Sequence, residues 1–299
     1  MIDECSIRPD HGSGDVVTLA TTADLVASAS AREAAVLAFN VISIEHAEGI
    51  AAGAEHAATA VLMQVSENTV KFHGGQVAPL VAACARIAAR SSADIAVHLD
   101  HLQDVDLIAE VIDTASDLGI SSLMVDAARL AYLDNVELTR SFARRAHDAG
   151  LWVEAELGGV GGKGDAHAPG VRTDPGEAVD FVKQTEVDGL AVAVGSTHAM
   201  TTRDASLDVG LIAELAARLV VPLVLHGSSG VPDDELRRAV RAGIRKVNVG
   251  TALNIAYTAA VRDVLAAAPN GVDPRPHLAA GRDAVAATVA ELCRVGDGR

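Results

Sequence analysis

The chain has 299 residues, 49% of them hydrophobic, which is enough to bury the core of one large domain or two small ones. Aromatic residues are only 2%, so that core must be built from Ala, Val, Leu and Ile. The 24 basic and 40 acidic residues leave a formal charge of -16, which argues against nucleic acid or an anionic membrane as a partner.

Cys5, Cys84 and Cys293 lie far apart and form neither a metal nor a redox spacing, as expected of reduced thiols in a cytoplasm. No apolar run reaches the length of a membrane span, and the N-terminus lacks the regions of a signal peptide, so a soluble cytoplasmic protein is expected. Residues 1–16 (MIDECSIRPDHGSGDV) are polar and without period and read as a loose leader; residues 17–299 read as one domain.

A helix is expected over Thr22–Ala35, with Thr21 or Thr22 as its N-cap. Short apolar runs follow at Val36–Val41, Ala60–Val65, Ile95–Asp100, Ser122–Asp126, Trp152–Glu156, Leu190–Val194, Leu223–His226 and Val247–Gly250. Between them lie helical periods such as Asp104–Leu118, Val136–Ala149, Pro175–Thr185 and Asp233–Ala242, and a last helix is expected from about Pro276 to Val295. Strands alternating with helices pair in parallel, and eight of them in a chain of this length favour closure into a (β/α)8 TIM barrel over an open doubly wound sheet. Nearly every run ends in polar residues: Asn40, Ser66, Asp100 with His101, Asp126, Glu154 with Glu156, His198, His226 and Asn248. In a barrel all of these lie on the C-terminal rim, where active sites are built.

The central stretch is Asp94-Ile95-Ala96-Val97-His98-Leu99-Asp100-His101, a buried strand that turns abruptly ionisable. By the period of two, His98 and Asp100 share a face; the strand is expected to end at Asp100, leaving His101 on the rim. His101, His198 and His226, at the ends of three strands, are candidate ligands of a catalytic zinc or another divalent metal. His98, inside its strand, fits a buried or supporting role better than ligation. Asp100 can take a proton from a hydroxyl or return one to a carbonyl oxygen. Glu154 and Glu156 share one face of a buried strand, and Glu156, nearer the rim, is the better candidate for touching the metal. Asn40, Ser66 and Asn248 suit sugar hydroxyls, carbonyls or phosphate oxygens. Gly227, Ser228, Ser229, Gly250 and Thr251 fall where barrels often bind phosphate. The loop Gly158–Gly170 is too long and glycine-rich for a routine turn and follows the double-glutamate strand, as a mobile cover over a site would.

These residues resemble a known family. AFNVISIE, VHLDH, VEAELG with its glycine-rich loop, LAVAVGSTH, LHGSSGVPDDELRRAVRAGIRKVNVGT and DPRPHL are similar, in order, to class II metal-dependent ketose-bisphosphate aldolases of the fructose- and tagatose-bisphosphate type, over about residues 17–295. The resemblance implies a TIM barrel, zinc, dihydroxyacetone phosphate as the nucleophilic half-substrate, and a homodimer or homotetramer. It assigns His101, His198 and His226 to zinc, Glu156 to the metal's vicinity, Asp100 to acid/base work on the aldehyde oxygen, and Asn40 and Asn248 to the ketose. Gly227, Ser229 and Thr251, with Ser66, match phosphate contacts, and Gly227 also belongs to a monovalent-cation loop.

The mobile loop departs from the family pattern. Lys163 and Gly164 stand where a glutamate usually moves the carbon-bound proton. Asp165 or His167 takes over that transfer, the substrate differs, or catalysis is poor. Ala127 and Ala128 replace small polar residues, and Gly250 stands where some members have an aspartate. The expected activity is reversible aldol cleavage of a phosphorylated ketose; the rivals are a metal-dependent sugar-phosphate isomerase or epimerase and a non-catalytic sugar-phosphate binder.

Overall fold

The structure is a computed structural model and describes residues 19–157, 172–196 and 203–296. The expected 1–16 leader, the glycine-rich loop with Asp165 and His167, and His198 lie outside the described residues. Eight parallel strands close into a barrel in sequence order: β1 Val36–Asn40, β2 Val61–Ser66, β3 Ile95–Leu102, β4 Ile120–Val125, β5 Trp152–Glu156, β6 Gly189–Ala191, β7 Leu223–Leu225 and β8 Ile244–Val249. Among the described residues the helices are α1 Thr22–Ala31, α2 Ile44–Ala57, α3 Glu67–Phe72, α4 Ala78–Ala88, α5 Val105–Leu118, α6 Tyr132–Asp148, α7 Pro175–Thr185, α8 Val209–Arg218, α9 Asp233–Ala242, α10 Thr251–Ala267 and α11 Arg275–Gly296.

The (β/α)8 barrel expected from the alternation is therefore present, because each crossover helix returns the chain to pair in parallel with the strand before it. Leu37, Phe39, Met63, Val97, Leu99, Val153 and Leu225 face outward and pack with the helices in the main core. The alternate residues face the barrel axis. At its lower end these are Val36, Ala38, Leu62, Ala96, Trp152, Ala191 and Val224, packed against Leu25, Val26 and Ala29 of α1. α1 thus plugs the bottom of the barrel. Thr21 is its N-cap and accepts from the Asp24 amide; the helix stops at Ala31, short of the expected Ala35, before Glu33 takes a positive φ of 55°.

The expected last helix is present as α11, which lies outside the barrel against α2 and α10. Its approach to α2 depends on two glycines. A Cβ at Gly49 would lie 2.6 Å from the Arg282 carbonyl oxygen, and one at Gly53 would lie 2.6 Å from that of Ala286. Among the described residues, no helix is long and apolar enough to cross a membrane.

Candidate active site

The site is built where β3 is irregular. Leu99 pairs with Leu123 and Leu102 with Val125, so Asp100 and His101 together oppose Met124 alone, which is a β-bulge. His101 takes the left-handed region, φ 50°, which turns its side chain out of simple alternation. The strand does not end at Asp100 as expected; it runs to Leu102 with a kink inside it. Adjacent residues that alternation would send to opposite faces thereby reach the same mouth. Glu67 secures the turn that follows, accepting from the Gln103 amide at 2.6 Å and the Asp104 amide at 2.9 Å.

Asp100, His101 and His226 each present a ligand atom within 4.8 Å of the others, as do His101, Asp126 and Glu156. The imidazoles of His101 and His226 meet edge to face, with centroids 4.8 Å apart. His226 follows β7 and is fully buried; its carbonyl accepts from Ser196 Oγ at 2.6 Å. Two imidazoles beside three carboxylates form a donor set suited to a divalent cation such as zinc.

The electrostatics agree with this. Burial opposes protonation of His101, but the charge of Asp100, the contact of Nδ1 with Asp126 Oδ2 at 3.2 Å and the charge of Glu156 raise its pKa to about 10. Burial would lift Asp126, yet His101 and the donors of Gln103 and Ala128 hold it down at about 2. For Asp100 burial is again the largest effect and acts upward, but the charge of His101 and the contact with His98 outweigh it and keep the group ionised. Such a concentration of carboxylates attracts a metal ion for the same reason that it attracts a proton.

Around Asp100 the rim is a network of amides. Gln64 Nε2 donates to Asp100 Oδ2 at 3.3 Å and also contacts Asn40 Oδ1. Asn248 Nδ2 donates to Asp100 Oδ1 at 3.4 Å. His98 shares the face of Asp100 as expected, with Nε2 3.8 Å from Oδ1, but belongs to the layer below. There its Nδ1 meets Ser122 Oγ at 2.8 Å, and Ser122 in turn meets Thr22 Oγ1 of the plug helix at 2.6 Å. Burial, then the Lys246 ammonium, keep His98 neutral. Glu154 and Glu156 are both buried inside the barrel, as their shared face requires.

Directly after His226, Gly227 takes φ 65° and opens a 3₁₀ turn, Ser228–Gly230. Ser229 Oγ accepts from the Ala252 amide at 3.1 Å, tying that turn to the first turn of α10, where Thr251 is the first residue. Ser66 ends β2, caps α3 and accepts from the Thr69 amide at 3.3 Å. Its backbone lies beside Asp100 in register.

The family model for class II fructose-bisphosphate aldolase matches residues 20–297. The chain belongs to the class II fructose-bisphosphate aldolase family. A fructose-bisphosphate aldolase of Geobacillus stearothermophilus is 37% identical over 255 residues, covering 84% of this chain and 87% of that one. Among solved structures, the YdjI aldolase of Escherichia coli K12 superposes with a TM-score of 0.78 at 27% identity, over 93% of this chain and 97% of that one. A Coccidioides immitis protein solved as a candidate fructose-1,6-bisphosphate aldolase gives a TM-score of 0.80 at 28% identity, over 93% and 96% of the two chains. The chain is thus an aldolase, a carbon–carbon lyase of a generally metal-dependent family.

Sequence reasoning about this aldolase missed Gln64, Lys246 and the pairing of Asp126 with His101. The signal for Gln64 was its place two residues before Ser66 on one strand face. Lys246 was hidden because β8 begins at Ile244, not Val247, and its pairing with β7 skips Arg245.

Proposed function

We propose that this aldolase reversibly cleaves a phosphorylated ketose, of the fructose- or tagatose-1,6-bisphosphate kind, to dihydroxyacetone phosphate and an aldehyde. The convergence of His101 and His226 beside Asp100 supports this reading above all. His101, His226 and His198 would hold a divalent cation, zinc foremost, with Glu156 and Asp126 beside it. When bound, that cation supplies Lewis-acid polarisation of the substrate's carbonyl and hydroxyl oxygens.

The remaining work falls to the chain. Asp100, ionised and steadied by Gln64 and Asn248, accepts the proton of the substrate hydroxyl on the carbon that becomes the aldehyde. As that proton leaves, the adjacent carbon–carbon bond breaks and its electron pair stays with the dihydroxyacetone phosphate half. Asp165 or His167 returns a proton to that carbon, in place of the family's loop glutamate. Asn40 and Asn248 orient the ketose. Gly227, Ser229 and Thr251, with Ser66 at the edge, receive the phosphate on backbone amides and hydroxyls at the start of α10, where the helix end offsets part of the protein's negative charge. Gly227 also suits a monovalent-cation loop.

The protein is proposed to act in the cytoplasm as a homodimer or homotetramer on a small phosphorylated sugar, without nucleic acid or membrane. Ile255 and Leu265 leave apolar surface exposed on α10 in support of an oligomer. Family membership favours the lyase over the isomerase and the binder. The test is exchange of the carbon-bound proton of dihydroxyacetone phosphate in deuterated water, followed by NMR with and without chelator. Chelator-sensitive exchange is expected; zinc-loaded protein that exchanges nothing would return the isomerase and the binder to first place.

A further inference from the structure

Below the rim lies a charged pair that the proposed reaction does not use. Glu154 and Lys246 are both fully buried, on β5 and β8, on opposite sides of the two intervening strands. Glu154 Oε1 lies 2.9 Å from His226 Nε2, and Oε2 lies 2.8 Å from Lys246 Nζ. Lys246 also donates to Asn248 Oδ1 at 2.7 Å, and Asn248 donates to Asp100. A buried ion pair is a poor way to gain stability, because desolvation offsets its attraction and an apolar pair of similar volume serves as well. The neighbouring interior positions Leu62, Ala96 and Val224 show that this barrel does fill its axis with apolar side chains.

We propose that Glu154 and Lys246 are positioning residues that fix the tautomer and orientation of His226 toward a divalent cation, and tie that ligand to Asp100 through Asn248. This rests on the reading of His226 as a metal ligand. An ionised carboxylate only accepts hydrogen bonds, so Nε2 of His226 carries the proton and Nδ1 turns its lone pair to the cluster with His101 and Asp100. Oε1 of Glu154 meets the imidazole and Oε2 is drawn to the Lys246 ammonium, so the carboxylate is held at both ends. Lys246 then continues the same frame to Asn248, and the ligand and the acid/base group are held by one set of contacts.

The experiment is zinc affinity of full-length apoprotein, measured by competition with a chromophoric chelator, together with the visible spectrum of the cobalt-substituted protein. Glu154→Gln keeps the volume but loses the charge, and is expected to weaken zinc by about 10–100-fold and to shift the cobalt bands. Glu154→Leu with Lys246→Met removes both charges together, so no lone buried charge threatens folding, and should give a loss in the same range. A merely structural pair would alter thermal unfolding of the apoprotein and leave the cobalt spectrum alone. Wild-type zinc affinity in both variants, with zinc lost from His226→Ala, overturns the proposal and spares the ligand assignment. A full zinc equivalent at wild-type affinity in His226→Ala overturns the ligand assignment itself.

Discussion

In the proposed mechanism Asp100 has a different task from His101 and His226, although their candidate ligand atoms lie within 4.8 Å of one another, because its two oxygens already accept from Gln64 and Asn248 and the charge of His101 favours its ionised form. A base needs that charge, and Asp100→Asn removes it while keeping the side-chain volume. The variant should bind a full equivalent of zinc and lose about 10²–10⁴-fold in cleavage rate, read from initial rates beside metal analysis. Unchanged turnover would remove Asp100 from the mechanism. The identity of this residue was legible in the sequence, since a carboxylate at the end of an apolar strand has few reasons to be there. Its partners were less so. Gln64 and Lys246 lie inside their strands, and a polar residue within an otherwise apolar strand declares a buried contact without naming its partner.

At the scale of elements, the β3 bulge and the α2–α11 contact show two ways in which backbone geometry decides what a side chain can do. Strict alternation would have put Asp100 and His101 on opposite faces; the extra residue and the left-handed φ at His101 bring both to the mouth. No residue pattern in VHLDH announces this, because a histidine takes ordinary strand angles far more often than left-handed ones. The α2–α11 contact was equally silent, since the spacing of Gly49 and Gly53 marks a small-residue face and not what lies against it. Adding one methyl group by Gly53→Ala forces the helices apart at the Ala286 carbonyl. That substitution should cost about 1–3 kcal/mol in chemical denaturation. A wild-type midpoint would show that α11 moves aside freely.

For the molecule as a whole, the site ties stability to pH. His101 binds its proton more tightly in the folded chain, with a pKa of about 10 against an ordinary 6.5, so its contribution is complete below pH 6.5 and is lost as pH rises through about 10. Asp126 is the opposite case: its contribution is present above 3.8 and is lost as pH falls through about 2. The apoprotein's unfolding midpoint should therefore decline between pH 6.5 and 10. Zinc binds the neutral imidazole, so loading displaces that proton and the decline should flatten. Calorimetry of both forms across this range checks it; parallel curves would exclude His101 as a ligand.

What the sequence by itself determined was everything carried by local pattern: eight apolar runs, the helices between them, and the polar residues at the strand ends that implied a rim. The barrel follows from these because alternating strands and helices have few ways to close. Only the tertiary structure decided that α1 is a plug, that Asp126 belongs to His101, and that Glu154 reaches across the barrel to His226 and Lys246. Those contacts join residues 25, 72 and 92 positions apart, on strands whose register includes bulges. Periodicity shows which face a residue takes, but pairing across an axis depends on the shear and register of the closed sheet, which no short stretch of sequence encodes.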